Sequence, residues 1–294
     1  MTKIKTKTKN SKRKTNKRNR LLSTLLVLAV LGYYIGLSPM DWLSEESAES
    51  AFIFKKKGAV RRSCEGIEIP HTLKDVPERV LEKSNYTVSF NRETNLPNWV
   101  AWSITSEELI ERESRTNNFQ PDPELPVHEA VTTDDYKNSG YDRGHMCPAA
   151  DNKYHWRAMD ESFYMTNICP QNHNLNAGVW STLEQQCRRW AHGDTVVHIV
   201  CGPILYDGTQ LRYIGTKHQV RVPDAFFKVV LVGYEQGTPQ GIGFIFENKA
   251  GKRAISHYAC TINEVENITG FDFFPLMEDV VEERVESMKR FPKE

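Results

Sequence analysis

At 294 residues with 39% apolar side chains, the chain is long enough to bury a substantial core, as one large domain or two small ones. Its formal net charge of zero hides an asymmetry: ten of the 38 Lys and Arg residues lie in residues 1–20, which hold no acid, so 28 basic residues face 38 acidic ones in the rest, about −10. A body of that sign excludes a broad basic face as the means of holding a polyanion. Positive charge would have to be concentrated locally or supplied by a metal ion.

The basic tail (1–20) is followed by an uncharged run, LLSTLLVLAVLGYYIGL (21–37). As a helix it would span roughly 25 Å, near the lower limit for crossing a bilayer. The reading favoured for it is a transmembrane signal anchor, with a cleaved signal peptide or a mitochondrial presequence as alternatives. The cations before it would stay in the cytoplasm and send the body to an extracytoplasmic, periplasmic or cell-surface side. Residues 38–65 are polar and charge-rich and read as a linker, so the folded domain is expected to be 66–294.

Within that domain TVSFN (87–91) and WVAWSIT (99–105) read as strands joined through a turn at 92–97. Residues 106–140, with PDPELP, form a long loop region of the kind that contacts substrates. A helical pattern covers about 175–192. Strands follow at 195–206, 225–234 and 241–248, the last two linked by EQGTPQ and therefore antiparallel, and an acidic helix closes the chain. The expected class is α+β, a central antiparallel sheet flanked by helices.

Six cysteines (64, 147, 169, 187, 201 and 260) make disulfides an expectation for an exported body, at least one of them among Cys147, Cys169, Cys187 and Cys201, with buried free thiols as the alternative. A zinc site from Cys147, His155, Cys169, His173 and Cys187 is disfavoured because no Cys-x₂₋₄-Cys pair is present. The Arg188-Arg189 pair reads as a solvated helix face.

The densest chemical cluster is Asp142-Arg143-Gly144-His145, which gathers both charge signs, a conformationally free glycine and an imidazole able to act as a base near neutrality. Thirty-one residues later, Asn176 begins a helix whose Trp180, Leu183, Cys187 and Trp190 share one stripe. The stripe is ordinary packing. It does not explain Asn176, whose carboxamide oxygen is a hard ligand suited to Mg²⁺. Glu184 lies two turns along and off to one side, able to hold an ion's water.

These segments, YDRGHMCPAAD (141–151) and FYMTNICPQNHNLNAGVWSTLE (163–184), resemble the DNA/RNA non-specific endonuclease family of the endonuclease G and Serratia nuclease type. The likeness extends to LPNWVAWSIT, NNFQPDPELP, VVHIVCGPILY, VPDAFFKVVL and INEVENITGFDFFP, about residues 66–280. It implies a ββα-metal (His-Me finger) fold and Mg²⁺-dependent cleavage of DNA and RNA to 5′-phosphate products, with Mn²⁺ as a substitute ion and a homodimer within the family's range. It implies His145 as general base, Asn176 as direct metal ligand, Glu184 ordering the ion's water, Asn167 supporting the site and Arg143 meeting phosphate charge. Arg115, in ESRTNNFQPDP, is the candidate for a further arginine near the transition state. The rival classes are a nucleic-acid binder without turnover, opposed by the acidic body, and an exported scaffold, opposed by intact His145, Asn176 and Glu184.

Overall fold

The computed structural model describes residues 66–249, 251 and 253–292. The basic tail, the apolar run and the linker lie outside the described residues, as does Cys64. Among the described residues no helix is long and apolar enough to cross a membrane.

The core is a seven-stranded sheet. Its strands are β1 (Arg79–Glu82), β2 (Tyr86–Asn91), β3 (Leu96–Ile104), β6 (Val197–Ile204), β7 (Ala225–Val232), β8 (Gln240–Glu247) and β9 (Ala259–Cys260). Two further strands, β4 (Asp142–His145) and β5 (Ile168–Gln171), form a separate antiparallel pair. The sheet order is β9-β8-β7-β6-β3-β2-β1, every pair antiparallel. The expected central antiparallel sheet is therefore present, with β3 reaching further toward its N-terminus than 99–105 because Leu96 and Pro97 continue the pairing with β2.

Both faces of the sheet are covered, which explains why β7 is buried throughout, AFFKVVLV, rather than alternating with polar residues. Phe227, Val229 and Leu231 point to one side, against Phe271, Phe273 and Val265 of helix α3 (Ile262–Thr269) and Val285 of helix α4 (Asp279–Glu286). Phe226 and Val230 point to the other. There they meet Trp180 and, on helix α2 (Ser181–Trp190), Leu183, Cys187 and Trp190, which together form the stripe. That second side also holds β5, through Ile168 and Cys169, and Met146 just beyond β4. The short helix α1 (Trp156–Glu161) packs in a smaller cluster, where Met159 meets Ala149 and Phe163.

The expected helix at 175–192 divides in two. Leu175–Trp180 forms a π-helical turn with non-helical dihedrals at Gly178, and regular α-helix begins at Ser181. A π-turn widens the helix locally and redirects its side chains, a distortion that often marks a functional site. Here it carries Asn176.

The disulfide expectation is corrected: Cys147, Cys169, Cys187, Cys201 and Cys260 are free, buried thiols. Their sulfurs serve the core instead. Cys201 Sγ donates to the Met146 carbonyl at 3.4 Å, and Cys147 Sγ accepts from Asn152 at 3.3 Å. Burial pushes Cys187 and Cys201 up to about 12, so both stay neutral.

Gly144 is required by close approach across the β4–β5 pair. A Cβ there would sit 2.7 Å from the Cβ of Gln171 and closer still to its Oε1. Gly144→Ala is expected to destabilise the fold by about 1–3 kcal/mol through overpacking. Denaturant unfolding measures this, and an unchanged midpoint would show that the hairpin tolerates the methyl.

Candidate active site

The β4–β5 pair sets the site. Arg143 lies opposite Pro170 and His145 opposite Ile168. Where the strands end, Asn167 takes over from the ladder. Its Oδ1 accepts the Cys147 amide at 2.9 Å, and its Nδ2 donates to the carbonyls of Cys147 and Ser162, both at 2.8 Å. The Asn167 carbonyl accepts the Met146 amide at 2.9 Å. A fully buried carboxamide thus closes the backbone just beyond His145.

His145 is 8% exposed, and its Nε2 is buried without a hydrogen-bond partner. The ring is held by shape, at 5.2 Å from Phe119 and 4.9 Å from Phe163, which meet each other edge-on at 4.9 Å. Each phenyl ring also carries a guanidinium. Arg143 stacks over Phe119 at 4.2 Å, and Arg115 lies over Phe163 at 5.2 Å. The order Arg143, Phe119, His145, Phe163, Arg115 puts two exposed cations beside one buried imidazole. Burial first, then the charges of Arg115 and Arg143, depress His145 to about 3. The imidazole is therefore neutral at neutral pH.

On the π-turn, Asn176 Nδ2 donates to Asp142 Oδ2 at 2.9 Å, and the same oxygen lies 2.9 Å from His173 Nδ1. Asp142 of β4 thus ties the histidine strand to the Asn176 turn. Asn248 anchors the other side, accepting from the Asn172 amide at 2.8 Å and donating to the carbonyls of Pro170 and Pro223. Glu184 of α2 is raised to about 7 by burial, with Asp151 adding to the rise and Lys228, Arg188 and Arg115 opposing it. Arg115 therefore acts electrostatically on both His145 and Glu184, which draws the candidate arginine into the same cluster.

Arg188 is a correction to the solvated helix face: it bonds the buried Asp151 at 2.7 Å, and Asp151 also accepts the Trp102 indole N–H at 3.0 Å. Sequence reasoning also missed Phe119 and Phe163 as the imidazole's supports, although both fall within the stretches that carry the family likeness. Among the described residues, Cys147, His155, Cys169, His173 and Cys187 do not converge as an ion site. Among the described residues, the His, Cys, Asp and Glu side chains converging as a possible ion site are Glu266, Asp272 and Glu286, on the opposite helices α3 and α4 and the intervening strand.

The chain matches the DNA/RNA non-specific endonuclease family over residues 66–280. It is 31% identical over 287 residues to "Nuclease EXOG, mitochondrial" of Mus musculus, covering 88% of this chain and 74% of that protein. "Nuclease 1, mitochondrial" of Schizosaccharomyces pombe is 34% identical over 203 residues, 64% of this chain and 63% of that one. Among solved structures, one described as the EndoG/EndoGI complex, solved for the mechanism of EndoG inhibition, superposes with a TM-score of 0.62 at 27% identity, covering 68% of this chain and 87% of its own. The names of the two sequence relatives correct the expectation of a membrane-anchored, extracytoplasmic body, since both are mitochondrial nucleases. An apolar run behind a string of cations is common to anchors and organelle-targeting segments, and composition alone did not separate them.

The burial of neutral His145 has a measurable consequence. Between about 3 and the ordinary 6.5 the unfolded chain binds this proton and the folded chain does not, so its contribution to stability is lost as pH falls through that window. Wild type is expected to lose stability more steeply from pH 7 to pH 4.5 than His145→Gln in urea unfolding. Equal slopes would contradict a buried, neutral imidazole.

Proposed function

Because the chain belongs to the DNA/RNA non-specific endonuclease family, we propose that it is a metal-dependent endonuclease that hydrolyses phosphodiester bonds of DNA and RNA with His145 as general base. The observation that carries this reading is the His145 ring clamped between Phe119 and Phe163, with Arg143 and Arg115 stacked on those same phenyl rings. A base and two cations in one place suit an anionic substrate attacked by water.

His145 takes the proton of a water aligned with the phosphorus, which a neutral imidazole can accept. Burial is the larger cause of the low proton affinity of His145, and an incoming phosphate offsets only the part that Arg115 and Arg143 contribute. Arg143 and Arg115 neutralise the non-bridging oxygens as negative charge builds. Asn167 keeps the backbone beyond His145 from shifting, and Asp142 keeps Asn176 in register with the histidine strand. Expulsion of the 3′-oxygen leaves products bearing a 5′-phosphate.

The side chains fit a hard divalent ion, Mg²⁺ with Mn²⁺ as substitute. The Asn176 amide nitrogen is committed to Asp142, which leaves its carboxamide oxygen as the ligand, and Glu184 would hold water of the ion's hydration shell. When bound, such an ion supplies Lewis-acid stabilisation of the phosphate and the leaving oxygen.

His145→Ala is expected to lower kcat on plasmid DNA and on RNA about 10²–10⁴-fold with unchanged far-ultraviolet circular dichroism. Asn176→Ala is expected to lose the response to added Mg²⁺. Near-normal cleavage by the His145 variant would remove it from the role of base.

A further inference from the structure

Lys228 has no part in the chemistry above, yet it is the most unusual side chain in the sheet. It stands mid-strand in β7, fully buried, and its Nζ makes no hydrogen bond. Strand alternation puts it on the side of Phe226 and Val230, facing α2, and the ammonium lies over the indoles of Trp180 at 4.3 Å and Trp102 at 5.1 Å. Two ring faces soften the burial of a cation but do not neutralise it.

The neighbouring charges identify its counter-ion. From β6 comes Cys201, from α2 Cys187 and Glu184, and from the turn before α1 Asp151. The thiols are neutral, and Asp151 is already held by Arg188 at 2.7 Å and by the Trp102 N–H. Glu184 is then the neighbouring carboxylate that no direct ion pair or hydrogen bond commits elsewhere, and Lys228 acts on it through space, with no direct bond between them. The helical register agrees: Trp180, the last residue of the π-turn, covers the ammonium and lies one turn before Glu184, and Cys187 of α2 follows three residues after it.

We propose that Lys228 is a positioning residue that acts through Glu184, its buried and otherwise unpaired ammonium holding that side chain as a carboxylate directed by charge at the rear of the active site. This rests on the nuclease reading only for what Glu184 then does. Burial works against the carboxylate and Lys228 is the leading influence in its favour, ahead of Arg188 and Arg115, while Asp151 opposes it. Neutralising Lys228 therefore moves Glu184 further toward the protonated acid.

The test compares wild type, Lys228→Met, Lys228→Gln, Lys228→Arg, Glu184→Gln and the Lys228→Met/Glu184→Gln double variant. With Mg²⁺ and plasmid DNA, the two neutral variants are expected to shift the acid limb of kcat upward by about one pH unit or more, with little change in KM. Lys228→Arg keeps the wild-type limb. In the Glu184→Gln background, Lys228→Met is expected to change kcat less than twofold, because the two residues act as one. Infrared titration of the Glu184 carboxyl, assigned by its loss in Glu184→Gln, reads the same shift without turnover, so an inactive wild type would fail the nuclease reading and leave this inference to the infrared result. Should the neutral single variants unfold, Glu184→Gln in the same chain is expected to restore folding, since removing one partner of a buried pair is worse than removing both. An unmoved Glu184 titration, additive losses in the double variant, or no rescue of folding would overturn the proposal.

Discussion

The active site depends on how the backbone is held immediately beyond His145. A β-ladder fixes the strand up to that residue and then stops, and the side chain of Asn167 supplies the missing hydrogen bonds to Cys147. Because that carboxamide is fully buried and its bonds are short, the histidine strand cannot slide relative to α1 without leaving polar groups unpaired in the core. Everything that follows concerns what is stacked on the strand so fixed: two phenyl rings on the imidazole, a guanidinium on each ring, and the Asp142 link to the Asn176 turn.

Behind this front lies a second layer with an opposite character. The front uses exposed cations on aromatic platforms, cheap to keep in water and free to meet phosphate. The rear holds buried Asp151 paired with half-buried Arg188, and the buried Lys228 ammonium over two indoles, among neutral thiols. An acidic protein body is compatible with a polyanionic substrate under this division, because attraction is confined to a few groups rather than spread over a face.

Much of this was legible in the sequence. The apolar runs and turns identified the sheet, and the helical stripe from Trp180 to Trp190 packs as its period indicated. Arg143 and His145 stood out in the Asp-Arg-Gly-His cluster and Asn176 as a polar residue that the packing stripe did not explain, whereas Asn167 was named only through the family resemblance. Other features were not legible because they depend on long-range pairing. The four-residue strands β4 and β5 carry mostly polar or small residues and have no period to detect, and Gly144 acquires its meaning only when Gln171 packs across it. Arg115 was named through the family resemblance alone, and what sets it beside His145 is its contact with Phe163, 48 positions away. The cysteines misled for a related reason: an even count suggests bridges, but buried thiols serve equally well as small core side chains with hydrogen-bonding sulfur.

The proposed cleavage needs both the neutral, buried His145 and a divalent ion at Asn176. The most direct measurement is cleavage of supercoiled plasmid and of single-stranded RNA by the full chain, in Mg²⁺, after EDTA, and after Mg²⁺ is restored in excess. Both substrates are expected to be cleaved with Mg²⁺, to be spared with EDTA, and to be cleaved again when Mg²⁺ is restored. Cleavage that is indifferent to EDTA, or no cleavage of either substrate with Mg²⁺ present, would contradict the proposed mechanism.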